Sequence, residues 1–235
     1  HLRPIRIAQS ILVLKGNRAV LADSVAPDAD SAIRLGAPTN IRADQLQKAL
    51  HPAPGRRLLA GFGTDGKSLC VADRTGATTF DAETGKIRWQ KSFEEFDIKG
   101  FYSMAVGDGA LVVTDSSGTL VCVDIVSGRV SWKSRLTGKQ RRPSAPMIIR
   151  GGLVVVVHDR SRALSCFRLK GGKLIHHQTA RSYIEARVTD EGMIVLLADG
   201  VLSARDGQKP STPLWQQEYV SSKYPTILAV RSDLV

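Results

Sequence analysis

The sequence predicts an all-β fold, a β-propeller of four-stranded antiparallel blades, from three observations. Two decapeptides lying 43 residues apart, FDAETGKIRW (Phe80 to Trp89) and VDIVSGRVSW (Val123 to Trp132), share Asp at the second place, Gly at the sixth and Trp at the tenth. Apolar runs closing on a turn aspartate recur at Asp73, Asp115, Asp159 and Asp199, with spacings of 42, 44 and 40 residues. Each period also holds four short segments rich in Val, Ile, Leu and Thr, punctuated by Gly, Asp and Ser, which read as strands joined by tight turns. A repeat of about 40–45 residues with four strands has the length of a propeller blade. A lone sheet of that size leaves both faces wet, so it must stack on its neighbours.

The blades are expected at 58–97, 98–141, 142–182 and 183–224. They follow an irregular first blade with an insertion at 1–57 and precede the start of a further blade at 225–235. The insertion holds one weak helical period, Arg42 to Leu50. The chain opens on His1 and stops inside an expected strand at Val235, so about five blades and a stub are read as an incomplete ring, a fragment of a longer protein.

Within each unit the Asp closes the third strand, the Gly makes the turn and the Trp lies on the fourth strand. A large amphipathic ring at one height in successive blades suits packing between neighbouring sheets. Blade docking is therefore expected of Asp81, Gly85 and Trp89, of Asp124, Gly128 and Trp132, and of Asp206 and Trp215. In the third unit His176 takes the Trp place, four residues after Gly172, and Arg168 stands where the Asp should be.

The decapeptides resemble the pyrroloquinoline-quinone-like (PQQ-like) propeller repeat, roughly Ala-x-Asp-x-x-Thr-Gly-Lys-x-x-Trp. Thr79 and Cys122 replace its leading Ala. The likeness is strongest over Leu58 to Lys133, and it is similar in kind to propeller proteins of bacterial outer-membrane assembly. The resemblance implies a scaffold or protein-binding module outside the cytoplasm, with no cofactor. The alternative it implies is a fragment of a quinoprotein dehydrogenase holding PQQ and Ca²⁺, with its site largely outside this chain. Such enzymes use a calcium-bound quinone, an Asp base and often an adjacent cysteine pair, and no such pair occurs here.

Chemistry-bearing residues are few. Asp73, Asp115, Asp159 and Asp199 begin turns, where Asp caps backbone amides. His176 and His177 are adjacent and so point to opposite faces of a strand, while His158 reads as a capping or exposed residue. GFGTDG (Gly61 to Gly66) has no helix after it and reads as a turn, not a phosphate cradle. Cys70, Cys122 and Cys166 form no CxxC and are expected to be reduced.

The net charge is +11 and the longest apolar runs are strand-length, short of the ~18 residues of a membrane span. One connection concentrates cations: Lys133, Arg135, Lys139, Arg141 and Arg142 fall within ten residues. They are the candidate contacts for an anionic partner, read as a protein with an acidic surface. No aromatic residues interleave with them after Trp132, so no specific nucleic acid is expected.

Overall fold

The computed structural model describes residues 5–7, 10–15, 18–23, 61–136, 147–158, 162–182 and 184–218. It is all-β, with four four-stranded antiparallel sheets and one three-stranded sheet. The three-stranded sheet comprises β1 (Ile5–Ile7), β2 (Ser10–Lys15) and β3 (Arg18–Asp23). Blade I holds β4 (Gly61–Thr64), β5 (Ser68–Ala72), β6 (Gly76–Asp81) and β7 (Ile87–Ser92). Blade II holds β8 (Phe101–Gly107), β9 (Ala110–Asp115), β10 (Thr119–Asp124) and β11 (Val130–Arg135). Blade III holds β12 (Ile148–Arg150), β13 (Leu153–His158), β14 (Ala163–Arg168) and β15 (Leu174–Thr179). Blade IV holds β16 (Ile184–Val188), β17 (Met193–Ala198), β18 (Val201–Asp206) and β19 (Pro213–Glu218). The insertion at 24–57, its helical candidate, the unit at 225–235 and Asp159 lie outside the described residues.

Every blade is a simple meander, each strand pairing with the next in sequence. The first strands β4, β8, β12 and β16 pack successively against one another, so the sheets fan out from that edge. Side chains alternate across a strand, and here both faces of the middle strands are covered. In β9, Leu111 and Val113 join a core with Cys70, Ala72, Ala77 and Trp89 of blade I. Ala110 and Val112 of the same strand face the other way, into a core with Val154, Val156 and Phe167 of blade III. A third core lies between blades III and IV around Val155, Leu164, Ile194 and Leu196. The continuous apolar runs of the sequence are thus strands buried on both faces. The fourth strands carry polar residues outward, and β19 is almost wholly exposed.

A shared irregularity sits on the third-to-fourth strand pairing of all four blades. The register slips between Thr79 and Phe80, Cys122 and Val123, Cys166 and Phe167, and Ala204 and Arg205. The bulge leaves Trp89, Trp132, His176 and Trp215 opposite Thr79, Cys122, Cys166 and Ala204 respectively. Each of these cross-strand partners is a small residue. The blade I to II connection is plugged by Phe93, Phe96 and Ile98, with Phe93 stacked on Phe101 at 5.0 Å.

Candidate functional site

The turn between third and fourth strands is where the repeated polar residues converge. Asp81 Oδ1 accepts from the Glu83 and Thr84 amides at 3.1 and 2.8 Å, and its Oδ2 meets Arg88 Nη2 at 2.6 Å. The Thr84 amide and hydroxyl hold the Asp81 carboxyl below the usual carboxylate range, with Arg88 adding to the effect. Asp124 accepts from the Ser127 hydroxyl and amide, each at 2.7 Å, and its pKa is lowered for that reason. Asp206 accepts from the Gln208 amide at 2.7 Å.

From each of the first two blades a tryptophan reaches the turn of the next. Trp89 Nε1 donates to the Ile125 carbonyl at 2.8 Å, and a Cβ built on Gly128 would lie 2.9 Å from its ring. Trp132 Nε1 donates to the Leu169 carbonyl at 2.6 Å, with Gly172 against its ring in the same way. Phe96 meets Trp89 edge-on at 6.1 Å. Trp89 and Trp132 are each 8% exposed, whereas Trp215 is 41% exposed. The unit placed after blade IV by the repeat, 225–235, lies outside the described residues.

His176 is half-buried at the Trp register of blade III, with Gln178 Oε1 at 3.4 Å from its Nε2. Its neighbour His177 is exposed and meets Ser165 through Nδ1 at 3.1 Å. Burial pushes the His176 pKa below the ordinary imidazole value; Arg205 and His177 add to this and the Gln178 contact opposes it. The unfolded chain therefore takes up this proton more readily than the folded one, and stability rises with pH through that window. Melting temperature is expected to fall as pH drops below about 6.5. His176→Gln should flatten that slope in thermal scans across the same range, and an unchanged slope would assign it elsewhere.

The other sequence-derived sites divide. Asp73 and Asp115 cap their own turns, Asp115 accepting from Ser117 and Thr119 amides at 2.8 and 2.9 Å. Asp199 instead caps the preceding connection, accepting from the Arg181 and Ser182 amides at 2.8 Å. His158, read from the sequence as capping or exposed, is 1% exposed, because β13 is covered on both faces. The three cysteines are free and buried, and burial pushes each thiol up to about 12. Lys133 and Arg135 are exposed on β11, Lys133 lying 3.2 Å from Asp97. Lys139, Arg141 and Arg142 lie outside the described residues.

The described residues do not fit a calcium-bound quinone. The Asp81 and Asp124 carboxylates are engaged by turn amides, and the Trp89 and Trp132 indoles are packed between blades. Among the described residues no three His, Cys, Asp or Glu side chains stand together as a metal site. Among them, too, no helix is long and apolar enough to cross a membrane.

Fold and repeat together define a propeller-type repeat protein of four-stranded blades. The family model described as outer membrane protein assembly factor BamB matches residues 98–164. The crystal structure of BamB from Moraxella catarrhalis is similar at 20% identity and a TM-score of 0.53, covering 67% of this chain and 47% of that one. The computationally designed Ika8 protein is similar at 15% identity and a TM-score of 0.54, over 90% of this chain and 62% of its own. KlHsv2 of Kluyveromyces lactis, with loop 6CD replaced by a Gly-Ser linker, reaches 0.51 at 11% identity over 94% and 68%. The chain thus spans about half the length of the BamB it resembles, and these likenesses are of fold. No curated protein sequence matches it.

Proposed function

We propose that this chain is a non-enzymatic propeller module of the cell envelope that binds an acidic protein partner. The observation that carries the reading is where the repeated polar groups go. The carboxylates of Asp81, Asp124 and Asp206 build turns, and Trp89 and Trp132 join blades. Gly85 and Gly128 make the turns of the same set, and Trp215 stands at the matching register of blade IV. The surface then carries the function, and it is basic, with a net charge of +11. Lys133 and Arg135 on β11, with Lys139, Arg141 and Arg142 following in sequence, form the partner contact, since connections between blades often carry function. Support for the envelope comes from the BamB family model, whose match spans this connection.

Calorimetric titration of the full-length protein with PQQ and Ca²⁺ is expected to show no saturable heat. Saturable uptake near one quinone per chain would overturn the reading in favour of a dehydrogenase. In parallel, a protein cross-linked to the unaltered chain in envelope extract should be lost when Lys139, Arg141 and Arg142 are changed to Glu. Retention of the same partner by that variant would remove the connection from the interface.

A further inference from the structure

Blade III keeps the backbone of the repeated turn but lacks its carboxylate. Strand pairing places Asp81 opposite Ser68, Asp124 opposite Ala110 and Asp206 opposite Met193, in each case the first residue of the second strand. The residue opposite Leu153 at that place is Arg168. The main chain still closes as in blades I and II. The Arg168 amide donates to the Lys173 carbonyl at 2.9 Å, as Asp81 does to Lys86 at 2.8 Å and Asp124 to Arg129 at 2.9 Å. The Gly172 amide returns to the Arg168 carbonyl at 3.1 Å, as Gly85 does to Asp81 at 2.8 Å.

The amides that a turn carboxylate would accept from are those of Lys170 and Gly171, the counterparts of Glu83 and Thr84. Neither has an acceptor among the described residues. Arg168 reaches outward instead, its Nη2 donating to the Gln208 carbonyl of blade IV at 3.0 Å. Between these groups lies a cavity of about 570 Å³, bordered by Gly152, Arg168, Leu169, Lys170 and Gln208. Lys170 is exposed at its border, and Lys173 and Lys209, close in sequence to its lining residues, are exposed too. The two nearby acids are already engaged, Asp108 by the Gly152 amide at 2.8 Å and Asp206 by the Gln208 amide.

We infer that this turn receives a carboxylate in trans, from an Asp or Glu side chain on an acidic segment of a protein partner. Successive backbone amides in a turn make an anion-binding concavity, and the sister turns show that this one is shaped for a carboxylate. Arginine and lysine beside it supply charge-assisted hydrogen bonds. The depression opens to solvent, so a side chain of a partner can reach it. None of its lining residues is aromatic, so a nucleic acid would find no base-stacking surface there. The site is distinct from Lys133 and Arg135, which lie toward the end of β11 away from the turn that opens it. It therefore does not rest on the proposal for those residues.

The test is anisotropy of a fluorescein-labelled hexaglutamate peptide with the full chain, together with amide resonances of Lys170 and Gly171 during the titration. Both resonances should shift, and should do so unchanged in a Lys133→Glu/Arg135→Glu variant. Arg168→Asp returns the carboxylate in cis. It should weaken binding about ten-fold or more without lowering the melting temperature. If that variant does not fold, Lys170→Glu, at an exposed position, should weaken binding in the same direction. Unmoved Lys170 and Gly171 resonances, or equal affinity in the folded variants, would overturn the proposal. So would tighter, Arg168-dependent binding of an oligothymidylate, which would assign the site to phosphates.

Discussion

Replacing Trp132 by alanine is expected to cost about 3–5 kcal/mol of folding stability, the range for removing a large buried aromatic. The ring is 8% exposed and fills the space between blades II and III beside Leu136, Met147 and Phe167. Its loss also strips the Leu169 carbonyl of the indole donor. Trp215→Ala is the matched control, since the bulge places it at the same register while 41% of it is exposed. That change should stay within about 1 kcal/mol, as surface substitutions usually do. A second comparison tests the contact from its other side. Gly172 has φ +64° and faces the Trp132 ring, so Gly172→Ala carries both a backbone penalty and an overlap. In a Trp132→Ala background only the backbone penalty of roughly 1–2 kcal/mol should remain. Urea unfolding of the four chains measures the coupling. Additive losses would show that ring and turn do not act together.

Much of this architecture was legible because it is written locally. The spacing of Gly172 and His176 places His176 at the Trp position, and the bulge in β15 sets it opposite Cys166 as Trp132 is set opposite Cys122. The nine residues from Asp206 to Trp215, against eight elsewhere, are absorbed in a longer turn without moving the Trp from its register. What escaped the sequence depends on partners far along the chain. Asp199 looks like any turn-opening aspartate, yet its carboxylate caps residues 17 and 18 positions earlier. His158 ends a strand before a turn, but burial at that edge is decided by packing across the blade rather than by its neighbours in sequence. Arg168 was visible as a departure from the repeat. Its consequence, a turn with the backbone kept and the carboxylate gone, required the hydrogen bonds of the sister blades for comparison.

Gly107→Ala is expected to destabilise the chain by about 2–3 kcal/mol, although it adds a single methyl group. Gly107 closes β8, the first strand of blade II, where the fan brings it against β12 of blade III. A Cβ there would overlap the Ile149 carbonyl oxygen and stand 3.0 Å from Ile149 Cβ. Both obstacles belong to a strand held by its own pairing, with Ile149 opposite Val154, so neither can retreat without opening blade III. Close packing leaves no spare volume to absorb the group, and the strain passes to the contact between the two blades. Gly109→Ala, two residues on, separates this cause from backbone conformation. Gly109 has φ +73° but nothing within 4 Å of the added Cβ, so its cost should be only the roughly 1–2 kcal/mol of a left-handed alanine. Denaturant unfolding of both variants decides between them. A Gly107→Ala cost no greater than that of Gly109→Ala would mean that the first strands stand further apart than this packing requires. The close approach at the inner edge would then not be what sets the spacing of the blades.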